Sequence, residues 1–358
     1  MRNLRALDRF ELQRLPKSRL SVCYRAPLAV SIAALIGGLL LLAFKADVLE
    51  SVRVFGRQVF SVGGWTETLV LLVPLGLTSL GVTIARKAGF WNIGGEGQLL
   101  IGALVGVLAA QALEGAGLVR FLTIPLLLLA AFAGGALVGI VAGAAKTWRG
   151  ADEVLVTLLT NFVALYFVSY LVSGPLRDID TMWVQSAPLA EPLRFERLPG
   201  LGRLNTSVFL FMAVASLLIH LERRTHCNTL LEVLESNPRA LVPTGRRPAG
   251  VLLLTSAVSG GLCGLAGWAE VAGTQYRLIE DLSPGYGYFA VVVAVAAGGR
   301  CSRAVWIALL VAVLLNGIDS STRVAGVPVY VGEIIMGLAL ISYLLIEKLS
   351  DHRIRLRR

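Results

Sequence analysis

The chain has 358 residues, of which 56% are hydrophobic and only 16% charged, against about 25% charged in soluble domains. The apolar residues fall in long blocks almost free of charge, which excludes a soluble globular domain and indicates a polytopic α-helical membrane protein. The net charge of +10 does not point to nucleic acid, because Lys and Arg sit in short segments between the apolar blocks, as the positive-inside rule requires.

Residues 1–27 form a basic tail in which Leu4, Leu7, Phe10 and Leu15 suggest a short amphipathic piece on the inner membrane surface. The apolar run at 28–44 follows with no small-residue cleavage site, so it is read as a retained span rather than a signal peptide. A polar loop carrying Lys45, Arg53 and Arg57 leads to spans at 66–85 and 94–113. Between these two lies Ala88-Gly89-Phe90-Trp91-Asn92-Ile93-Gly94-Gly95-Glu96-Gly97-Gln98, the stretch around which the chain is organised.

Four glycines within nine residues oppose continuous helix there, at roughly 1 kcal/mol each relative to alanine. Non-helical backbone survives in a membrane only where protein buries it or a water-filled cavity adjoins it. A carboxylate such as Glu96 costs roughly 2.5–3.5 kcal/mol at a helix centre and so marks function. Two readings stay open: an unwound segment facing a pathway, or a tight turn with Arg86 and Lys87 at the lipid boundary.

The fourth span, 121–145, places Gly135, Gly139 and Gly143 on one face, which permits close helix packing. The fifth, 154–173, contains Asn161 and is introduced by Lys146-Thr147-Trp148-Arg149-Gly150-Ala151-Asp152-Glu153. A long polar loop at 174–206 precedes the sixth span, 207–221, and a second polar segment fills 222–250. The seventh span, 251–271, again has glycines four apart, Gly260 and Gly264. Residues 272–288 repeat the character of the stretch at 88–98, and the eighth span, 286–297, is too short to cross untilted. It is either a tilted span or half of a re-entrant pair. Spans at 304–318 and 329–346 and a basic tail at 348–358 complete the chain.

Ten spans with both termini in the cytoplasm put 23 of the 33 Lys and Arg inside and 10 outside, the sign expected of the positive-inside rule. The fold expected is therefore all-α, with a membrane domain over 28–347 and a cytoplasmic segment at 222–250.

No catalytic set stands out. HExxH, GxSxG and a phosphate-binding GxxxxGK[ST] loop are absent, so the chain is not expected to be an enzyme or to hydrolyse nucleotide. Cys23, Cys227, Cys263 and Cys301 show neither a CxxC pair nor metal-ligand spacing, and no metal is expected.

The segment from Thr229 to Leu241 reads as two short helical pieces broken at Asn237-Pro238, since proline disfavours helix in the residue before it. Such a piece either docks in a groove of a soluble partner or lies on the lipid surface.

These motifs together resemble the permease subunits of bacterial ABC importers, in the family of branched-chain amino acid, ribose and nucleoside permeases. The likeness is strongest to the larger of the paired permeases of nucleoside (simple-sugar-like) importers. Asn92-Ile93-Gly94-Gly95-Glu96-Gly97-Gln98 matches that group's signature intact. Asp152-Glu153-Val154 with Thr157 and Asn161, Asn237-Pro238-Arg239-Ala240 with Gly245, and Pro284-Gly285-Tyr286-Gly287 resemble its other elements. The chain departs from the family in having Glu235-Ser236 where glycine usually precedes Asn-Pro, and Pro243 where a helix usually continues.

The resemblance implies a substrate pathway shaped by Asn92, Gly94, Gly95, Glu96, Gly97, Gln98 and Asn161. It implies ATPase coupling through Glu235, Ser236, Asn237, Pro238, Arg239 and Ala240. It further implies a bacterial inner-membrane location, a shorter paralogous permease, cytoplasmic ABC ATPases, a substrate-binding lipoprotein and a nucleoside substrate. ATP is then used by the partner subunits, and no cofactor is bound by this chain. The alternative is an ion- or proton-coupled secondary transporter with Glu96 and Glu270 as coupling groups.

Overall fold

The computed structural model describes residues 10–14, 47–114, 119–328 and 352–356, with separate positions between 35 and 42 and between 331 and 346. The expected spans at 28–44 and 329–346 therefore lie largely outside the described residues. The same holds for most of the two terminal tails.

The described chain is mainly helical and contains one strand pair. β1, Phe10–Arg14, pairs antiparallel with β2, His352–Leu356, with Phe10 opposite Leu356. The helices are α1 Val48–Phe60, α2 Val62–Lys87, α3 Gly95–Leu113, α4 Arg120–Arg149, α5 Glu153–Ser173 and α6 Ser207–Arg224. They continue with α7 Cys227–Ser236, α8 Pro248–Glu270, α9 Tyr286–Ala297 and α10 Cys301–Val324. Two compact units emerge: Met1–Phe60 with Gly317–Arg358, and Ser61–Asn316.

The smaller unit corrects one expectation. Phe10 stands in a strand in which apolar Phe10 and Leu12 alternate with Glu11 and Gln13, while Leu4, Leu7 and Leu15 lie outside the described residues. Residues 48–60, expected as a loop, are helix α1. Their charges, Glu50, Arg53 and Arg57, are spaced three and four apart. The Asp47 carboxylate accepts the Glu50 amide at 3.0 Å, satisfying an orphan donor of the first turn. The end of α10 belongs to this unit, where the Ser321 hydroxyl donates to the Ser51 carbonyl at 3.0 Å. α10 runs past the expected limit of 318 because Asp319 and Arg323, four apart, pair across its last turn.

The larger unit holds every candidate site residue. Six helices among the described residues are long and apolar enough to cross a membrane: α2, α3, α4, α5, α8 with the turn that extends it to Gln275, and α10. α6 ends in Glu222, Arg223 and Arg224, which cut its apolar run short. α9, with 12 residues, is about 18 Å long, well short of a hydrocarbon core of about 30 Å.

α8 is the axis of this unit, and every residue from Ser259 to Glu270 is buried. Gly135 and Gly139 of α4 lie against the backbone of Gly260, Gly264 and Ser256, and Gly102 of α3 abuts Gly264 from another side. A side chain at any of these positions would collide with backbone atoms. The glycine faces at 135–143 and 260–264 therefore face each other, and van der Waals contact between bare backbones holds the three helices.

The segment at 174–206 is ordered rather than loose. It is laced to the residues after α8 by the amides of Ser186, Leu189 and Phe195, which donate to the carbonyls of Leu278, Tyr276 and Ala272 at 2.7–2.9 Å. The Arg194 and Arg197 guanidiniums stack on the Tyr276 ring at 4.8 and 5.4 Å.

Candidate functional site

α2 ends at Lys87, and seven non-helical residues, Ala88 to Gly94, carry the chain to α3. Gly95, at the start of α3, already lies against Thr78 and Val82 of α2. Thr78 is nine residues before Lys87, or about 13 Å along the helix axis. The break therefore turns back beside α2, and α3 begins well inside the length of its neighbour. Only this part of the glycine stretch is unwound: Gly95, Glu96, Gly97 and Gln98 are helical. The local cost of glycine is overridden by the close approach it permits.

α9 begins at the same depth. Gly287 in its first turn packs directly on the backbone of Gly95 and Glu96, and Val82, Ala290 and Ala294 form one apolar cluster between α2 and α9. At its other end Gly299 rests on Lys87. α9 thus starts partway along α2 and runs to α2's C-terminal end, which accounts for its 12 residues. The two glycine-rich stretches of the sequence meet in space.

The polar side chains where they meet bind one another. Asn92 donates to Gln98 Oε1 and to Ser259 Oγ, both at 2.8 Å, and its Oδ1 accepts from Gln98 Nε2 at 3.0 Å and from the Gly94 amide at 3.1 Å. Asn161 of α5 caps α3 from outside: its Oδ1 accepts the Gly97 amide at 2.8 Å, and its Nδ2 donates to the Ile93 carbonyl at 2.9 Å. The Thr157 hydroxyl accepts the Ile93 amide at 3.3 Å.

Glu96 accepts the Gly287 amide at 2.7 Å. Its carboxylate therefore stands at the N-termini of both α3 and α9, where the helix dipoles favour negative charge by about 0.3–1 kcal/mol each. Asn92, Gln98, Thr157, Asn161 and Ser259 are all buried, and Glu96 is 9% exposed. The set is a closed polar knot.

The second candidate set is built the opposite way. α7 ends at Ser236. Asn237 breaks the helix at φ −153°, and Pro238 opens a tight turn through Thr244, closed by Gly245 in the left-handed region at φ 75°. Glu235, Ser236, Asn237, Pro238, Arg239 and Ala240 are six consecutive exposed residues. Leu234 and Leu241 on either side are buried and cluster with Ala88. The segment is pinned at both ends and displays its middle.

The sequence named Asn92, Gln98, Thr157 and Asn161 but not Ser259, a single hydroxyl in an apolar run with nothing to mark it. It also missed the ion pair of Lys87 with Glu222 at 3.1 Å, because 135 residues separate the partners.

Membrane-length helices around a glycine-packed axis, with two helices starting partway along a neighbour, are an arrangement that multi-pass transport proteins use. A family described as "Branched-chain amino acid transport system / permease component" matches residues 65–344. A glucose ABC transporter permease protein of Haloferax volcanii, TsgB13, is 34% identical over 93% of this chain and 90% of its own length. A guanosine ABC transporter permease protein of Bacillus subtilis, NupP, is 28% identical over 80% of this chain and 82% of its own. A nucleoside ABC transporter permease protein of Lactococcus lactis, NupB, is 25% identical over 84% and 85%. No solved structure matches the chain.

The chain belongs to this permease family, and is a permease subunit of an ABC transporter. Its family works with ATPase and substrate-binding partners, which sets aside the ion-coupled alternative. In the structure Glu96 holds Gly287, and Glu270 accepts Gln275 Nε2 at 3.2 Å.

Proposed function

We propose that this chain is one of two permeases in an ATP-driven importer of nucleosides or related sugar-bearing solutes in the bacterial inner membrane. The observation that carries the coupling role is the exposed run from Glu235 to Ala240 between two buried leucines. It offers a rigid handle to a soluble partner. Cytoplasmic ABC ATPases grip it, a shorter paralogous permease completes the pathway, and a lipoprotein delivers the solute from outside. ATP is bound by the ATPases, and this chain is neither an enzyme nor a cofactor carrier. The membrane domain covers 28–347 in about ten membrane helices, of which α9 reaches only partway across, between basic cytoplasmic tails at 1–27 and 348–358, with 222–250 on the cytoplasmic side.

In this reading Asn92, Gly94, Gly95, Glu96, Gly97, Gln98 and Asn161 shape the wall of the pathway. Their polar groups bind one another, so they set its form rather than grip the solute. The substrate class is supported by the relatives, two named for nucleosides and one for glucose.

The test is uptake into proteoliposomes holding the chain with its partner subunits. Guanosine should accumulate when ATP is supplied on the ATPase side, and glucose should compete weakly. Accumulation of glucose alone would replace the substrate assignment, and no ATP-dependent uptake of either would overturn it. Reporter fusions after Gly200 should read outside, and fusions after Pro238 inside.

A further inference from the structure

The exposed run and the buried knot are connected by a short path through Gly89. This glycine has φ 70°, and a Cβ there would meet Glu235 Cα and Cγ at 3.3 Å, so the backbone of the break rests directly on α7. Three residues later the same backbone enters the knot at Asn92. On its other side the Gly89 carbonyl accepts the Lys146 ammonium at 2.8 Å, and Lys146 also pairs with Glu153 at 2.6 Å. Lys146 closes α4 and Glu153 opens α5, the helix that supplies Thr157 and Asn161 to the knot. A displacement of α7 that pushes Gly89 therefore pulls on α5 through Lys146 and on α3 through Asn92.

A second lysine fixes α7 to the membrane helices. Lys87 lies 3.1 Å from Glu222 at the end of α6 and 3.8 Å from Glu232 in α7. The other Glu222 oxygen accepts the Cys301 amide at the start of α10 at 3.0 Å. Lys87 and Glu222 are only 11% and 15% exposed, although they line a cleft of about 570 Å³ that also carries Arg86, Arg223 and Arg300. Lys87 and Glu222 together thus tie α2, α6, α7 and α10 at one point.

Resting on the importer reading above, we infer that Gly89 is the joint through which ATPase-driven movement of α7 reaches the polar knot, with Lys146 and Lys87 as the positioning residues that clamp it. These lysines touch neither solute nor nucleotide. Their role is to keep the joint taut, so that motion at 235–240 is transmitted rather than absorbed by the seven-residue break.

The experiment uses the whole complex in proteoliposomes and measures solute transported per ATP hydrolysed. Lys146→Met and Lys87→Met should insert normally and keep most of the ATPase rate while transport falls about tenfold, within the 5–150-fold range typical of coupling between sites. Lys146→Arg should restore at least half of the transport, since a guanidinium can still bridge Gly89 and Glu153. Gly89→Ala, which strains the left-handed backbone and presses on Glu235, should lower the same ratio; it serves as the second variant if a lysine replacement fails to insert. A transport-to-ATP ratio unchanged in the variants, or transport and ATPase falling in parallel, overturns the joint. A wild-type complex without ATP-dependent uptake overturns the importer reading, and the inference with it; that failure is visible before any variant is made.

Discussion

Asn92 and Asn237 are the same residue in two non-helical stretches, and the protein uses them in opposite ways. Asn92 is 1% exposed, and its side-chain amide makes four hydrogen bonds within the chain. Asn237 is exposed and works through its backbone: its amide donates to the Val233 carbonyl at 2.8 Å, and its carbonyl accepts the Ala240 amide at 3.0 Å. The first residue closes a core in which unmet polar groups would be costly. The second shapes a surface and leaves its neighbours free to meet another molecule. Polarity in a membrane protein is therefore not itself a sign of a ligand site; what matters is whether the polar groups are already met.

This contrast is sharpest where packing is tightest. Gly264→Leu would drive a side chain into Ala131 and Gly135, and no rotamer avoids the backbone. Loss of inserted protein is expected, from a destabilisation above about 4 kcal/mol, read as the membrane-inserted fraction on a blot. Asn161→Ala comes next. It leaves the Gly97 amide and the Ile93 carbonyl without their partner, and should cost about 1–2 kcal/mol, seen as a lower Tm in detergent. Glu96→Gln keeps the shape and can still accept from Gly287, but it loses the charge that two helix N-termini favour. A stability loss of about 1 kcal/mol is expected, with transport per inserted molecule reduced. Wild-type transport in that variant would leave the knot a purely structural turn.

The core helices were legible because long apolar runs carry a strong signal. α3 begins within one residue of its expected start, and α9 was bounded at 286–297 as found. The two glycine faces at 135–143 and 260–264 were legible as faces, but not that each packs on the other, since spacing does not name a partner. α1 is not legible as a span because Glu50, Arg53 and Arg57 keep its mean hydropathy low, although its apolar residues share one face. Asn92 and Gln98 were legible through their motif. Ser259, Lys87 with Glu222, and the meeting of Glu96 with Gly287 were not. Those pairs are separated by 135 to 191 residues and are brought together by tertiary packing alone.

The central claim is that the exposed run at 235–240 meets a soluble ATPase rather than lipid. The direct measurement places a photoactivatable crosslinker on Arg239→Cys, with exposed Cys227 replaced by serine. Arg239 is exposed between the buried pins Leu234 and Leu241, so this variant should change stability by no more than about 0.5 kcal/mol. In membranes containing the whole complex, the predicted product is an adduct between this chain and the ATPase. Adducts to lipid alone, with the ATPase present and active, would contradict the account.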